Sequence, residues 1–261
     1  GEPHLEPLFT ADQKALVLLG RSQERQHFFT IYSRLGTGPE TPSVLHKVQA
    51  PPNALFFDFI SFGEDKITQL ATLSASGIII LSPEDGATQS FVPTSSIYRL
   101  KNNPNFSQLD FARDVNGDDR DDLLIPDFQG HHLFLQTDEG FAAPVFLPFA
   151  PEMRIGGPAF YQQGVPRSQS FPIFIDDANL DGRSDIIFLK DHQLIFFAQS
   201  DGGEFNPDPQ IIDLPLDVIG NSLGEEMNAD ESRANGSNFI ETRIKTIKDI
   251  DGDGLIDILT L

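Results

Sequence analysis

The sequence predicts an all-β chain made of repeated strand–loop–strand units, on three observations. Apolar stretches are short and end in clusters of Asp, Asn and Gly, the pattern of strands joined by turns. Aromatic usage is lopsided, with Phe 23, Tyr 3 and Trp 0. Phenylalanine fills a sheet interface without needing a hydrogen-bond partner. One pattern also recurs three times, from Leu109 to Ile125, from Ile175 to Phe188 and from Ile247 to Leu259. Each copy is an apolar stretch, an acidic loop and a second apolar stretch.

The repeats continue on both sides of these loops. The first is a short version, Leu8 to Leu19 followed by His27 to Ser33. The second runs from Phe57 to Leu73 around an eroded loop that keeps Gly63 and Asp65, and Gly77 to Asp85 supplies its hairpin. In the third, Leu133 to Phe141 forms a strand, a Gly turn and a Phe, and Ala143 to Leu147 forms another strand. Leu194 to Phe205 and Ile211 to Leu214 repeat that arrangement in the fourth. The fifth contains only the pair of strands around its loop. Matched loop positions fall at Ala15, Gln69, Asp122, Asp185 and Asp257, in steps of 54, 53, 63 and 72 residues.

Four strands per unit at this spacing predict the blades of a β-propeller, each burying its faces on its neighbours. The expected blades are about 5–50, 54–94, 107–149, 170–215 and a partial 239–261, all within one repeat domain spanning 1–261. Two insertions interrupt them: a Pro/Gly-rich one at 148–170 and an acidic one at 215–238. Both read as surface loops and as candidates for a binding face.

The loops carry the chemistry. Counted from the first Asp, oxygen-bearing side chains occupy positions one, three, five and nine. These are Asp114, Asn116, Asp118 and Asp122 in loop one, Asp177, Asn179, Asp181 and Asp185 in loop two, and Asp249, Asp251, Asp253 and Asp257 in loop three. Ca²⁺ takes six to eight oxygens, and alternate residues of a tight loop face inward together. Position six is Asp119, Gly182 or Gly254, where a sharp turn calls for positive φ. Position seven (Arg120, Arg183, Leu255) offers its backbone carbonyl, so its side chain is expected to be immaterial. An EF-hand shares the first half of the pattern but needs Glu at position twelve and flanking helices. Position twelve here is Ile125, Phe188 or Thr260, flanked by strand-forming residues. Without metal the clustered carboxylates repel one another, and three calcium ions would offset six of the 21 excess negative charges.

The DxDxDGxxD loop between strands, followed by a hairpin with Ser or Thr, Gly and Phe at its turn, resembles the FG-GAP/VCBS repeats of the integrin α-chain propeller and of many bacterial surface proteins. The resemblance implies calcium at the twelve loop residues named above. It does not carry over at Ser61 to Lys66, where the first ligand position is Ser61 and the ninth is Gln69, nor around Asp12 to Lys14. Propellers of this family commonly have seven blades, so four and part of a fifth imply a partial propeller.

Composition narrows the function. A net charge of −21 and a pI near 4.4 repel nucleic-acid phosphates and anionic lipid heads. The absence of cysteine removes disulfides, thiol catalysis and zinc ribbons. No apolar run reaches the roughly 18 residues of a membrane span. Gly220 to Gly224 matches G-x-S-x-G, but a nucleophile elbow needs a strand before it and a helix after it. His131 and His132 are adjacent on a strand and so point to opposite faces. Asn105-Phe106-Ser107 and Asn235-Gly236-Ser237 match the glycosylation pattern, which has meaning only in a secreted eukaryotic protein. The expected function is a non-catalytic, calcium-stabilised binding or adhesion module, extracellular, on the cell surface or periplasmic, with a protein ligand. The alternatives are a lectin-like propeller, in which Tyr32, Tyr98 and Tyr161 substitute for the missing Trp, and the accessory propeller of a larger secreted enzyme.

Overall fold

Continuous apolar runs such as Leu123-Leu124-Ile125 and Ile186-Ile187-Phe188-Leu189 are buried on both faces, as befits strands sandwiched between other layers. They belong to a computed structural model that describes residues 4–10, 13–22, 26–32, 44–63, 67–82, 88–93, 106–150, 161–162, 165–166, 173–190, 193–214, 244–253 and 257–260. Among these residues there are strands and turns and no helix, and hence no helix long and apolar enough to cross a membrane. The described strands form several small sheets, and among the described residues none closes into a barrel.

The first sheet is an antiparallel meander of β1 (His4–Thr10), β2 (Gln13–Arg21), β3 (His27–Tyr32) and β4 (Val44–Gln49). The second joins β5 (Ala54–Phe62), β6 (Ile67–Ser74), β7 (Gly77–Leu81) and β8 (Thr88–Pro93), with the short β9 (Ser107–Gln108) parallel to β5. The third contains β10 (Ala112–Arg113), β11 (Asp122–Pro126), β12 (His131–Phe134) and β15 (Val145–Leu147). Between its last two strands lies the two-stranded ribbon of β13 (Gln136–Thr137) and β14 (Gly140–Phe141). Within insertion 148–170, β16 (Tyr161–Gln162) pairs with β17 (Val165–Pro166). The fourth sheet is β18 (Ile173–Asp176), β19 (Asp185–Lys190), β20 (Gln193–Phe197) and β21 (Gln210–Asp213). The last pair is β22 (Ile244–Lys248) and β23 (Asp257–Thr260). Insertion 215–238 lies outside the described residues.

The chain divides into two compact units, one of residues 1–114 and 118–170, the other of 115–117 and 171–261. In the first, consecutive sheets pack face to face. Val17, Phe29, Ile31 and Val48 of the first sheet meet Phe57, Leu70 and Leu81 of the second, with Phe106. Phe57 lies 5.1 Å from Phe29, edge to face, and 5.0 Å from Phe106. On its other face the second sheet contributes Phe56, Ile60, Leu73, Ile78 and Ile80 to a core with Phe111, Leu123, Ile125 and Phe134 of the third. A fully buried Phe contributes about 1.5–3 kcal/mol, so these layers account for the heavy use of Phe. In the second unit, Ile187, Leu194 and Phe196 of the fourth sheet pack with Ala178 and with Ile247 of β22.

Asp58 fixes the path of the strand that enters loop one. Its carboxylate accepts from Phe111 N at 2.8 Å and Ala112 N at 3.0 Å, and from Gln108 Nε2 at 3.3 Å. Burial, with the nearby Asp110 charge adding to it, raises its pKa from 3.8 to about 7.

Candidate metal centres in the Asp loops

Each acidic loop joins two antiparallel strands: β10 and β11, β18 and β19, and β22 and β23. The position-one Asp nucleates the turn by accepting backbone N–H groups ahead of it, the local bond that makes Asp a turn former. Asp114 accepts from Asp118 N at 3.2 Å and Asp119 N at 2.9 Å. Asp177 accepts from Asp181 N at 3.0 Å and Gly182 N at 2.8 Å, and Asp249 accepts from Gly252 N at 2.6 Å. Position three adds Asn179 to Asp181 N at 3.0 Å and Asp251 to Asp253 N at 3.1 Å. At position six, Asp119 (φ 65°) and Gly182 (φ 88°) take the expected left-handed conformation, while Gly254 lies outside the described residues. Position four is left-handed as well, at Gly117 (φ 78°), Leu180 (φ 60°) and Gly252 (φ 80°), a feature missed in the sequence reading.

The position-nine Asp closes the loop from below. Asp122 and Asp185 are both fully buried. Asp185 accepts from Ala178 N at 3.1 Å on one oxygen and from Gln199 N at 3.0 Å on the other. Asp257 accepts likewise from Ile250 N at 2.9 Å. Burial pushes the Asp185 pKa up, and the charges of Asp181 and Asp177 push the same way.

In loop three, one carboxylate oxygen each from Asp249, Asp251 and Asp257 lies within 4.8 Å of the other two. Two oxygens bound at about 2.3–2.6 Å on opposite sides of Ca²⁺ are separated by about 5 Å. The all-oxygen, all-anionic donor set therefore fits a hard cation. Among the described residues no other group of three carboxylates converges in this way. Leu255 lies outside the described residues.

The side chain at position seven proves far from immaterial. Arg183 donates from Nη2 to Asp181 at 2.5 Å, from Nη1 to Asp201 at 2.6 Å and from Nε to the Gln199 carbonyl at 3.0 Å. Arg120 donates from Nε to Asp118 at 3.2 Å and from Nη1 to Asp138 at 2.5 Å. In both repeats the second partner lies 18 residues after the arginine, on the following hairpin. A long cationic side chain beside an acidic loop finds the charges that its backbone position alone does not suggest.

Two glutamines also escaped the sequence reading. Gln136 donates its N–H to Asp122 at 2.7 Å, and its side chain donates to the Ser61 and Asp121 carbonyls and accepts from Gly63 N. Gln199 donates its N–H to Asp185, and its side chain donates to the Asn116 carbonyl at 3.1 Å. Each also pairs across its hairpin with the turn Phe, Gln136 with Phe141 and Gln199 with Phe205. At the eroded loop, Ser61 and Gly63 are thus held by hydrogen bonds from another repeat.

No family model matches the chain, and no curated protein matches it. A similar solved structure is that of an Agrocybe aegerita lectin, described as recognising non-reducing terminal N-acetylglucosamine. The likeness covers 99% of this chain and 74% of the lectin at 11% identity, with a TM-score of 0.39. At those values it carries no weight for fold or ligand, which rest on the residues themselves.

The remaining candidate groups hold structure together. His131 is buried and bonded through Nδ1 to the Phe149 carbonyl at 3.0 Å, so that nitrogen carries the proton. Burial lowers its pKa from 6.5 to about 4. The half-buried His132 contacts Asp127 at 3.0 Å and ties the turn between β11 and β12. Gly220 to Gly224, Asn235 to Ser237, Asn105 and Tyr98 lie outside the described residues.

Proposed function

We propose that this chain is a calcium-stabilised, non-catalytic binding module of the FG-GAP/VCBS propeller kind, working outside the cytoplasm and presenting its ligand surface to a protein partner. The observation that carries the proposal is the convergence of Asp249, Asp251 and Asp257 within 4.8 Å in a strand–loop–strand setting. The four-stranded meanders that stack in chain order within the first unit support a blade architecture. An acidic chain of net charge −21 gains most from bound divalent cations in a calcium-rich compartment.

In this reading Asp114, Asn116, Asp118 and Asp122, Asp177, Asn179, Asp181 and Asp185, and Asp249, Asp251, Asp253 and Asp257 hold about three ions, with the carbonyls of Arg120, Arg183 and Leu255 as further ligands. The ion neutralises carboxylates that otherwise repel, and it pins the crossing between two strands. Its role is structural, and the chain's residues supply shape to the ligand surface instead of a reacting group.

Equilibrium dialysis with ⁴⁵Ca²⁺ tests the metal part: about three saturable sites are expected, and no saturable binding contradicts it. A glycan array and a pull-down of surface proteins test the ligand part. Retention of defined glycans in place of proteins would move the assignment to the lectin-like alternative.

A further inference from the structure

We infer that the turn between β11 and β12, with Phe146 of β15 across it, is a docking site for a lysine side chain of a protein partner. This inference rests on the protein-binding reading above and adds the place and chemistry of one contact. Among the described residues two phenylalanines stand exposed, and both are here: Phe128 (63%) in the turn and Phe146 (37%) on the outer strand. The turn holds the Phe146 ring in place. Asp127 N donates to the Gly130 carbonyl at 2.7 Å, and Asp127 Oδ1 accepts from Phe128 N at 2.5 Å. The Phe146 ring lies across Gly130, where a Cβ would come within 2.7 Å of it. His132 pairs with Phe146 across the strands, its ring 5.2 Å away, and its Nε2 lies 3.0 Å from Asp127 Oδ2. One imidazole thus joins an exposed aromatic ring to a partly buried carboxylate.

The first sheet carries the same pairing of glycine and ring, and there the ring is covered. Phe28 of β3 lies across Gly20 of β2, leaving no room for a Cβ. Lys47 of β4 places its Nζ 3.6 Å from the centre of the Phe28 ring. The ring quadrupole attracts a cation so placed. Among the described residues no lysine or arginine covers Phe146 in this way, and none occurs from Asp121 to Met153. The third sheet therefore presents to solvent the aromatic face that the first sheet fills from within.

The polar groups beside the ring favour a cation over a sugar. Sugar hydroxyls need donors as well as acceptors, whereas an ionised Asp127 only accepts, and no Lys or Arg of this stretch supplies a charged donor. A net charge of −21 draws cations to the surface. A lysine can lay its four-carbon stem along an aromatic face while its ammonium reaches a carboxylate. An exposed contact of this kind changes affinity by about two- to fivefold.

NMR of the full chain tests the inference, with three probes: an amidated peptide of alternating serine and lysine, the same peptide with norleucine for lysine, and cellobiose. Phe146→Leu and Asp127→Asn are compared with wild type. The first keeps an apolar side chain over Gly130, and the second keeps an acceptor for Phe128 N. The expected result is saturable shifts of the Phe128, His132 and Phe146 ring signals with the lysine peptide and none with the norleucine peptide. Each variant should weaken lysine-peptide binding by about two- to fivefold. Lysine-peptide shifts spread over the acidic surface, with neither variant weakened, overturn this inference and leave the protein-binding reading standing. Equal shifts from the norleucine peptide, or no shift from any probe, do the same. Shifts of these rings by cellobiose and not by the lysine peptide overturn both, in favour of the lectin-like alternative.

Discussion

Gln136 donates its backbone N–H to the buried Asp122 carboxylate at 2.7 Å, 14 residues away. Gln199 makes the same bond to Asp185 at 3.0 Å with the same 14-residue spacing. In these two repeats, therefore, the hairpin holds the closing Asp of its own loop, and its glutamine side chain reaches the loop of the repeat before.

Gln136→Ala removes two donors and one acceptor from a site that is 3% exposed. The backbone groups left behind are partly buried, so the variant is expected to lose about 2–4 kcal/mol. Urea denaturation reads the loss, and Glu139→Ala on the exposed turn, within about 0.5 kcal/mol of wild type, is the control.

Leu180 sits at φ 60° where the other two loops have Gly117 and Gly252. A left-handed non-Gly residue costs about 1–2 kcal/mol. Glycine brings extra unfolded-state freedom of about 0.4–1 kcal/mol. Leu180→Gly should therefore leave stability level or raise it by up to about 1 kcal/mol, despite removing an apolar side chain. Gly252→Ala should cost about 1–2 kcal/mol. Thermal unfolding of the two variants checks the pair of signs.

Asp58 and His131 give opposite pH dependences. Asp58 has a folded pKa of about 7, above 3.8, so its contribution is full below pH 3.8 and is lost as pH rises through 7. His131 has a folded pKa of about 4, below 6.5, so its contribution is full above pH 6.5 and is lost as pH falls through 4. Each slope is at most about 1.4 kcal/mol per pH unit, and in wild type they largely cancel between pH 4 and 6.5. Asp58→Asn should make stability rise with pH in that window, and His131→Gln should make it fall. Denaturation midpoints from pH 4 to 7.5 measure both, and parallel profiles for the two variants would contradict the assignment.

The strands and the loops were legible because their signals are local. Alternation of apolar runs with Asp/Gly clusters placed the strands around Asp114 to Asp122, Asp177 to Asp185 and Asp249 to Asp257. It also aligned the eroded Phe57 to Leu73 repeat with β5 and β6. What escaped depends on contacts between segments. Gln136 reaches Ser61 across 75 residues, and Gln199 reaches Asn116 across 83, distances over which spacing within one repeat has no bearing. A signal was available nonetheless: Asp122 and Asp185 are each followed 14 residues later by Gln, and Arg120 and Arg183 are each followed 18 residues later by Asp. Two aligned repeats show both, and only side-chain chemistry gives those matches meaning. The buried Asp58 left no such mark, because no other repeat carries an acid at that place: Phe111 and Phe174 stand there.

The central claim is that calcium in the Asp loops stabilises the fold, and the melting temperature of the full chain in EDTA against millimolar Ca²⁺ tests it most directly. A ligand bound only by the folded state stabilises it by RT ln(1 + [L]/Kd), about 2.7 kcal/mol per site at a hundredfold excess over Kd. Tm should therefore rise by several degrees and keep rising with calcium concentration, with Mg²⁺ a weaker substitute. An identical Tm in EDTA and in calcium would contradict the account.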